Sequence, residues 1–328
     1  MTWTRRLGTA VCCLICLGLA AGLRAEPGGG QAGAFLKLGA DARALGLGGA
    51  YTAVCEDSAA GFWNPAGLAS MTRLEGSGTY AALPAGGDYS QVHFALPLNA
   101  FAFPTDERAG STGSLPLGAL GLTILRFAGS YALEARRIDS LNPDYLFSDI
   151  EGSYGLAYGH PFFDRQLSVG LGLKGFYHLL EREQASGWGL DAGARWLPFS
   201  GLTVALVLRN AYADLQWSTG ARDRFPAVIH LGVAYAWSWL EAQDLLVSIE
   251  GVQTLSERRV PQTRAGLEYG FNRILFARGG WMDGAWAIGG GLRLPSIGWG
   301  RIALRLDYAA QTDRIEGWDH WVTLRLEM

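Results

Sequence analysis

Charge is scarce in this chain: Asp, Glu, Lys and Arg make up 17% of its 328 residues, against roughly 25% in an ordinary globular protein. Cysteine is scarcer still. Of the four cysteines, Cys12, Cys13 and Cys16 fall in the first 25 residues, and only Cys55 lies beyond them. A single thiol excludes a disulfide within the rest of the chain and leaves a cysteine metal cluster without partners. His93, His160, His178, His230 and His320 show no ligand spacing of the HxxxH kind, so neither a metal site nor a cofactor is expected. A serine and a histidine could meet across strands, but nothing in the residues favours such a pair, and no catalytic residue is assigned. Also missing after residue 25 is any uncharged apolar run of the roughly 20 residues that a membrane-spanning helix requires.

The first 25 residues have a different character. Arg5 and Arg6 precede an uncharged stretch from Leu7 to Leu23, which closes on Leu23-Arg24-Ala25. That is the three-part form of a secretory signal, expected to be cleaved after Ala25; the alternative is an uncleaved anchor, but the run falls short of the roughly 20 apolar residues that span a bilayer. Removal of the signal takes three arginines, so Lys+Arg falls from 27 to 24 against 30 Asp+Glu and the mature charge is −6. Nothing in that balance attracts nucleic acid.

Glycine and aromatic residues are abundant, at 46 glycines and 38 Phe, Trp and Tyr (14, 12 and 12). They sit in segments that alternate with a period of two. In Leu167, Val169, Leu171, Leu173; Leu202, Val204, Leu206, Leu208; Ile302, Leu304, Leu306, Tyr308; and Val322, Leu324, Leu326, Met328, every position is apolar. The interleaved positions mix charge with glycine, alanine and threonine. Alternation of this kind sorts side chains onto two faces of a strand, and segments of about ten residues suit a tilted strand crossing a bilayer. Strands are expected near 72–82, 88–98, 117–127, 149–160, 166–181, 187–197, 201–213, 226–239, 244–255, 261–271, 273–281, 285–294, 300–312 and 318–328. Fourteen is an even number, as bacterial outer-membrane barrels require. The fold class expected is therefore all-β, a 14-stranded antiparallel transmembrane barrel over residues 71–328, preceded at residues 26–70 by a compact, loop-rich segment containing a short helix. Residues 99–116 strain this scheme, since they make a long connection at the end where short turns belong.

Parity directs Glu151, Lys174, Asp191, Arg195, Arg209, Glu250, Arg264, Glu268, Arg293, Arg301, Arg305, Asp307 and Arg325 inward. A lipid-facing charge near midplane costs about 2–4 kcal/mol, so these belong in the lumen, as a network of ion pairs rather than a charged ligand site. Phe162, Phe163, Trp196, Phe199, Trp237, Trp239, Trp281, Trp286, Trp299, Trp318 and Trp321 gather at strand ends, as in the aromatic girdles of membrane barrels. Outer-membrane lipid and the barrel-assembly machinery are the partners this implies, and the bacterial outer membrane is the location.

Residues 41–69, DARALGLGGAYTAVCEDSAAGFWNPAGLA, break the strand rhythm. Gly46, Gly48 and Gly49 lack the βαβ context of a phosphate cradle. Asp57 or Ser58 can cap a short helix through Trp63, and Asn64-Pro65 stops it. The motif residues Asp41, Arg43, Gly46, Gly48, Gly49, Tyr51, Trp63, Asn64, Pro65 and Gly67 together resemble the N-terminal signature of the PorV/PorQ family of outer-membrane proteins, which is similar in fold to the FadL-type fatty-acid transporters. The resemblance implies a hatch folded inside the barrel. It also implies either protein export and surface attachment with type IX secretion-apparatus partners, or passage of a hydrophobic small molecule; a barrel that only anchors an envelope assembly is the alternative. Phe35, Leu36, Leu38, Leu45, Leu47 and Phe62 are the hatch residues that could touch an apolar ligand or pack on the wall. Cys55, Phe62 and the terminal Met328 depart from the family pattern.

Overall fold

The structure is a computed structural model that describes residues 32–83, 87–101, 117–129, 133–135, 142, 145–240, 242–255, 261–297, 302–313 and 317–328. The leader expected at 1–25, Arg301, Trp299 and most of 99–116 lie outside those residues.

Fourteen strands close into one antiparallel ring. In chain order they are β1 (Glu75–Ala82), β2 (Asp88–Pro97), β3 (Ala119–Ala128), β4 (Asp149–Phe162), β5 (Leu167–Leu180), β6 (Glu183–Phe199) and β7 (Leu202–Trp217), followed by β8 (Val228–Leu240), β9 (Gln243–Thr254), β10 (Gln262–Phe271), β11 (Leu275–Met282), β12 (Ala285–Ile297), β13 (Ile302–Asp313) and β14 (Gly317–Glu327). The ring shuts where β1 pairs on one side with β2 (Glu75↔Ala95) and on the other with β14 (Glu75↔Glu327). Each expected strand is present. Across the doubtful 99–116 connection, β2 and β3 pair directly from Pro97↔Ala119 to Asp88↔Ala128, so the register assumed there is correct.

Alternation works as the sequence requires. On β5, Val169, Leu171 and Leu173 are exposed on the outside, while Ser168 and Gly170 are buried on the inside. The outer surface is thus the apolar one, inverting the usual arrangement, and it is the surface a bilayer would cover. Tyr80, Tyr154, Trp188, Tyr212, Trp286 and Trp318 are exposed toward one end, and Phe162, Phe163, Trp196, Phe199, Trp237 and Phe271 toward the other. Trp321 corrects the girdle reading. Its position on β14 shares the inward parity of Thr323 and Arg325, and it is buried edge-on against Tyr89 at 5.4 Å.

The wall is uneven. Strands β4 to β7 run 14, 14, 17 and 16 residues, whereas β9 to β14 run 8 to 13. Within the tall side, β7 carries a bulge: between Leu190↔Tyr212 and Ala192↔Leu208, one residue of β6 faces three of β7. Two extra residues preserve the in–out parity above the bulge, since a strand repeats every two residues. Asn210, at φ 51°, takes the turn, and its backbone N–H donates to Asp191 Oδ1 at 2.8 Å.

Residues 33–74 fill the interior. Helix α1 (Ala42–Gly46) lies against β11–β14; α2 (Ala60–Trp63) and a 3-10 turn at Pro65–Ser70 lie against β3–β6. Tyr51, Leu47, Trp63 and Leu68 are among the most deeply buried side chains, each contributing about 1.5–3 kcal/mol through removal from water.

Candidate functional site

The hatch is held to the wall by polar groups that the fold brings inward from many strands. Asp41 begins it. Its carboxylate caps α1 by accepting from Arg43 N at 2.8 Å and meets Arg325 Nη2 with the other oxygen at 2.5 Å. Its own N–H donates to Gln91 Oε1 (3.1 Å), and Ala42 N donates to Thr323 Oγ1 (2.8 Å). These contacts support a φ of 67° at Asp41, a left-handed backbone that costs a non-glycine residue about 1–3 kcal/mol.

Arg325 is the hub. Besides Asp41 it reaches Asp57 Oδ2 at 3.0 Å and Glu75 Oε1 at 3.2 Å, with its side chain 2% exposed. Arg43 forms a two-pronged pair with Glu268 on β10, at 3.0 and 2.8 Å, and donates to the Tyr51 hydroxyl at 3.2 Å. The Tyr51 hydroxyl in turn donates to Asp57. On the wall, Arg278 joins Glu268 (2.5 Å) to Asp307 (2.8 Å), and Arg305 pairs with Asp307 (2.9 Å). Five acids and four arginines therefore share one buried lattice spanning hatch and barrel, in which every charge has a partner of opposite sign. Such a lattice costs desolvation, and removing one member costs more, because it leaves the partner charge buried alone.

Electrostatics in the hatch follow from this crowding. Burial opposes ionisation of Asp57, but Arg325, then Arg43 and the Tyr51 hydroxyl, outweigh it and hold the carboxyl below its usual range. Burial pushes the Tyr51 phenol well up. It also raises the Cys55 thiol, which makes that residue inert packing rather than a nucleophile.

A second clamp is Glu250 on β9. Its Oε2 accepts from the backbone N–H groups of Tyr51 (3.1 Å) and Thr52 (3.0 Å) and from the Thr52 hydroxyl (2.7 Å). Its Oε1 meets His230 Nδ1 at 2.8 Å and Arg264 at 3.7 Å. Successive N–H groups make a concave anion site, and the wall supplies the anion. Arg264 also donates to Gly49 O at 3.2 Å.

The third contact region faces β4–β7. Arg209 donates to Trp63 O (3.0 Å), with its guanidinium over the rings of Phe62 (4.7 Å) and Trp63 (5.0 Å). Arg195 holds Ser70 Oγ (2.6 Å) and Glu56. Asn64 caps the Pro65–Ser70 turn through Ala66 N (3.0 Å) and donates to Thr52 O (3.0 Å). Lys174 pairs with Asp191 at 2.8 Å beneath the bulge.

Close backbone approach explains the glycines of the motif. Gly48 has φ +63°, and a Cβ there would lie 2.5 Å from Trp281 N; across the contact, a Cβ on Gly280 would lie 2.1 Å from Gly48 N. A Cβ on Gly67 would lie 2.3 Å from Cys55 O, and one on Gly170 2.3 Å from Pro65 C, whereas Gly46 meets Gly289 Cα only at an ordinary 3.4 Å.

Among the expected lumen charges, Lys174, Asp191, Arg195, Arg209, Glu250, Arg264, Glu268, Arg305, Asp307 and Arg325 all sit in these contacts. Arg293 stands at the rim, half-exposed and 2.6 Å from Glu327. Arg301 is not among the described residues. The helix reading needs one correction: neither Asp57 nor Ser58 caps α2. Ala59 holds that position without a side-chain bond, because Arg325 and Tyr51 engage Asp57, and Ser58 Oγ lies 2.9 Å from Ser77 Oγ. Arg278, Glu75, Gln91 and His230 are not among the inward groups expected from the sequence, although strand parity with Gly280, Ser77, His93 and Gly232 points each of them inward.

Of the apolar hatch residues, Phe35, Leu45, Leu47 and Phe62 are buried in packing, and Leu36 and Leu38 are half-buried. Leu36 joins an apolar cluster of Phe176, Ala185, Ala213, Leu215, Phe225 and Trp217 on the tall side, where Phe176 and Phe225 are 4.6 Å apart. At the opposite end, a cavity of about 320 Å³ is lined by Val54, Leu245, Leu246 and Phe276 together with Arg43, Arg195 and Arg305. None of the six apolar hatch residues lines it.

No family model matches the sequence, and no curated protein does. Solved structures do match. A FadL homologue of Pseudomonas aeruginosa aligns over 88% of this chain and 97% of its own, at 10% identity and a TM-score of 0.49. The P. putida toluene transporter TodX aligns over 88% of this chain and 96% of its own, at 11% identity and a TM-score of 0.54. The Ralstonia pickettii toluene transporter TbuX aligns over 88% and 97%, at 11% identity and a TM-score of 0.54. At these identities the likeness is one of fold: the chain is a closed fourteen-stranded antiparallel barrel of the kind seen in the toluene transporters.

Proposed function

We propose that this protein is a bacterial outer-membrane channel that passes hydrophobic small molecules, monoaromatic hydrocarbons among them, past a folded hatch and without covalent catalysis. The observation that carries the reading is the pairing of a toluene-transporter fold with a lumen closed by residues 33–74. The buried charges of the plug, Asp41, Arg43 and Asp57, are all paired, and the plug fills the lumen that an open aqueous pore would need. The apolar cluster around Phe176 and Phe225 stands at the end with the longer loops, the extracellular side of such barrels, where an apolar solute would first leave water. Surrounding lipid and the barrel-assembly machinery are the partners this placement requires.

The hatch motif from Asp41 to Gly67 favours a second reading, a PorV/PorQ-type role in protein export or surface attachment with secretion-apparatus partners. Uptake of labelled toluene by cells with a lipopolysaccharide outer membrane distinguishes them. Cells producing the chain should take up the label faster than cells without it, at matched amounts of folded barrel. Equal uptake together with loss of surface proteins on deletion of the gene would favour the export role. Equal uptake together with loss of a co-purifying envelope protein would favour a simple anchor.

A further inference from the structure

Asp149 and Glu151 alternate on the inner face of β4, and Glu151 is paired in register with His178 on β5. One ligand atom from each of the three lies within 4.8 Å of the other two, and His178 Nε2 is 2.7 Å from Asp149 Oδ1. All three are half-buried. They stand above the level of Tyr154, in the part of the tall wall that rises past the aromatic girdle.

We propose that these three residues bind a divalent transition-metal cation of the zinc type at the mouth of the barrel. The donor set, one imidazole nitrogen and two carboxylates, is one that zinc takes, with its remaining position open to water. Donor atoms around a tetrahedral zinc stand about 3.3 Å apart, within reach of small side-chain rotations from the observed spacing. The charges around the cluster point the same way. The Glu151 carboxylate accepts no hydrogen bond and makes no ion pair with an arginine or lysine among the described residues, and it faces a second carboxylate. Every other carboxylate named in the lumen has a cationic partner. Among the described residues Asp223, held by Trp217 Nε1 at 2.7 Å, adds a further negative charge acting on His178. Trp217 itself packs against the imidazole, ring centroids 4.9 Å apart and planes tilted by 55°, which restrains the ring that supplies the nitrogen. A bound cation would neutralise this excess and tie β4 to β5 beside the apolar cluster.

The site is independent of what the barrel transports. The full mature chain, purified in detergent and stripped with a chelator, is titrated with Zn2+ by calorimetry. One ion per chain is expected, with affinity reduced at least tenfold in Glu151→Gln and in His178→Gln and unchanged in Glu183→Gln. Folding of each variant is read from its unheated gel mobility. Should the variants fail to fold, Co2+ titration of the unmodified chain serves instead: visible absorption bands saturating at one equivalent and abolished by Zn2+ are expected. Absence of binding at millimolar Zn2+, or binding that the two variants leave unchanged, overturns the proposal.

Discussion

Arg325 on the last strand touches Asp41 at the head of the hatch, Nη2 to Oδ2 at 2.5 Å, across 284 residues of sequence. The same guanidinium holds Asp57 and Glu75. Closure of the ring and seating of the hatch thus meet in one side chain.

Replacing Arg325 with Gln should leave Asp41 and Glu75 without a cation and Asp57 with Arg43 alone, 3.6 Å away, a loss of about 3–5 kcal/mol. The barrel itself, built from backbone pairing, should still form. The expected outcome is a folded, heat-modifiable barrel whose residues 33–74 are cut by added protease, where the wild type resists.

Two adjacent glycines on β11 offer a sharper comparison. Gly280 faces Gly48, and a Cβ there would fall 2.1 Å from backbone, whereas a Cβ on Gly279 meets nothing within 4 Å. Gly280→Ala should displace the hatch and expose it to protease, and Gly279→Ala should be neutral. Equal behaviour of the two variants would contradict the placement of the hatch.

The outer face makes its own prediction. Leu206 is 51% exposed on the outside of β7, and Arg209 points inward to Trp63 O. Leu206→Arg places a charge in hydrocarbon at about 2–4 kcal/mol and should impair insertion. Arg209→Leu should insert normally while loosening the hatch. Membrane fractionation with gel mobility reads both.

Acid should release the hatch. The Asp57 carboxyl titrates below its usual range when folded, so its contribution is complete above the unfolded value of about 3.9 and is lost as pH falls from there through the lower folded value. Protease sensitivity of the hatch should therefore rise below about pH 4, and Asp57→Asn should flatten that rise.

The wall was readable in the sequence because a strand repeats every two residues and lipid tolerates no lapse in the pattern: Leu167 to Leu173 and Val322 to Met328 declare their outer face without any partner being known. Strand pairing is mostly sequential, so the order of the ring followed. The hatch was readable only as an interruption. Which groups would clamp it depends on contacts between residues such as Thr52 and Glu250, 198 apart, and no local period encodes these. Asp57 shows the difficulty. By local chemistry it is a helix cap, but a guanidinium from the far end of the chain claims its carboxylate. Cross-strand donors such as Glu151 and His178 escape a search for linear ligand spacing for the same reason.

The most direct test of the account is hydrogen–deuterium exchange on the full chain in lipid nanodiscs. Amides from Asp41 to Ala69 should exchange as slowly as those of β4 to β7, as befits a folded plug inside the ring. Exchange of those amides at the rate of an unstructured peptide, with the wall still protected, would contradict it.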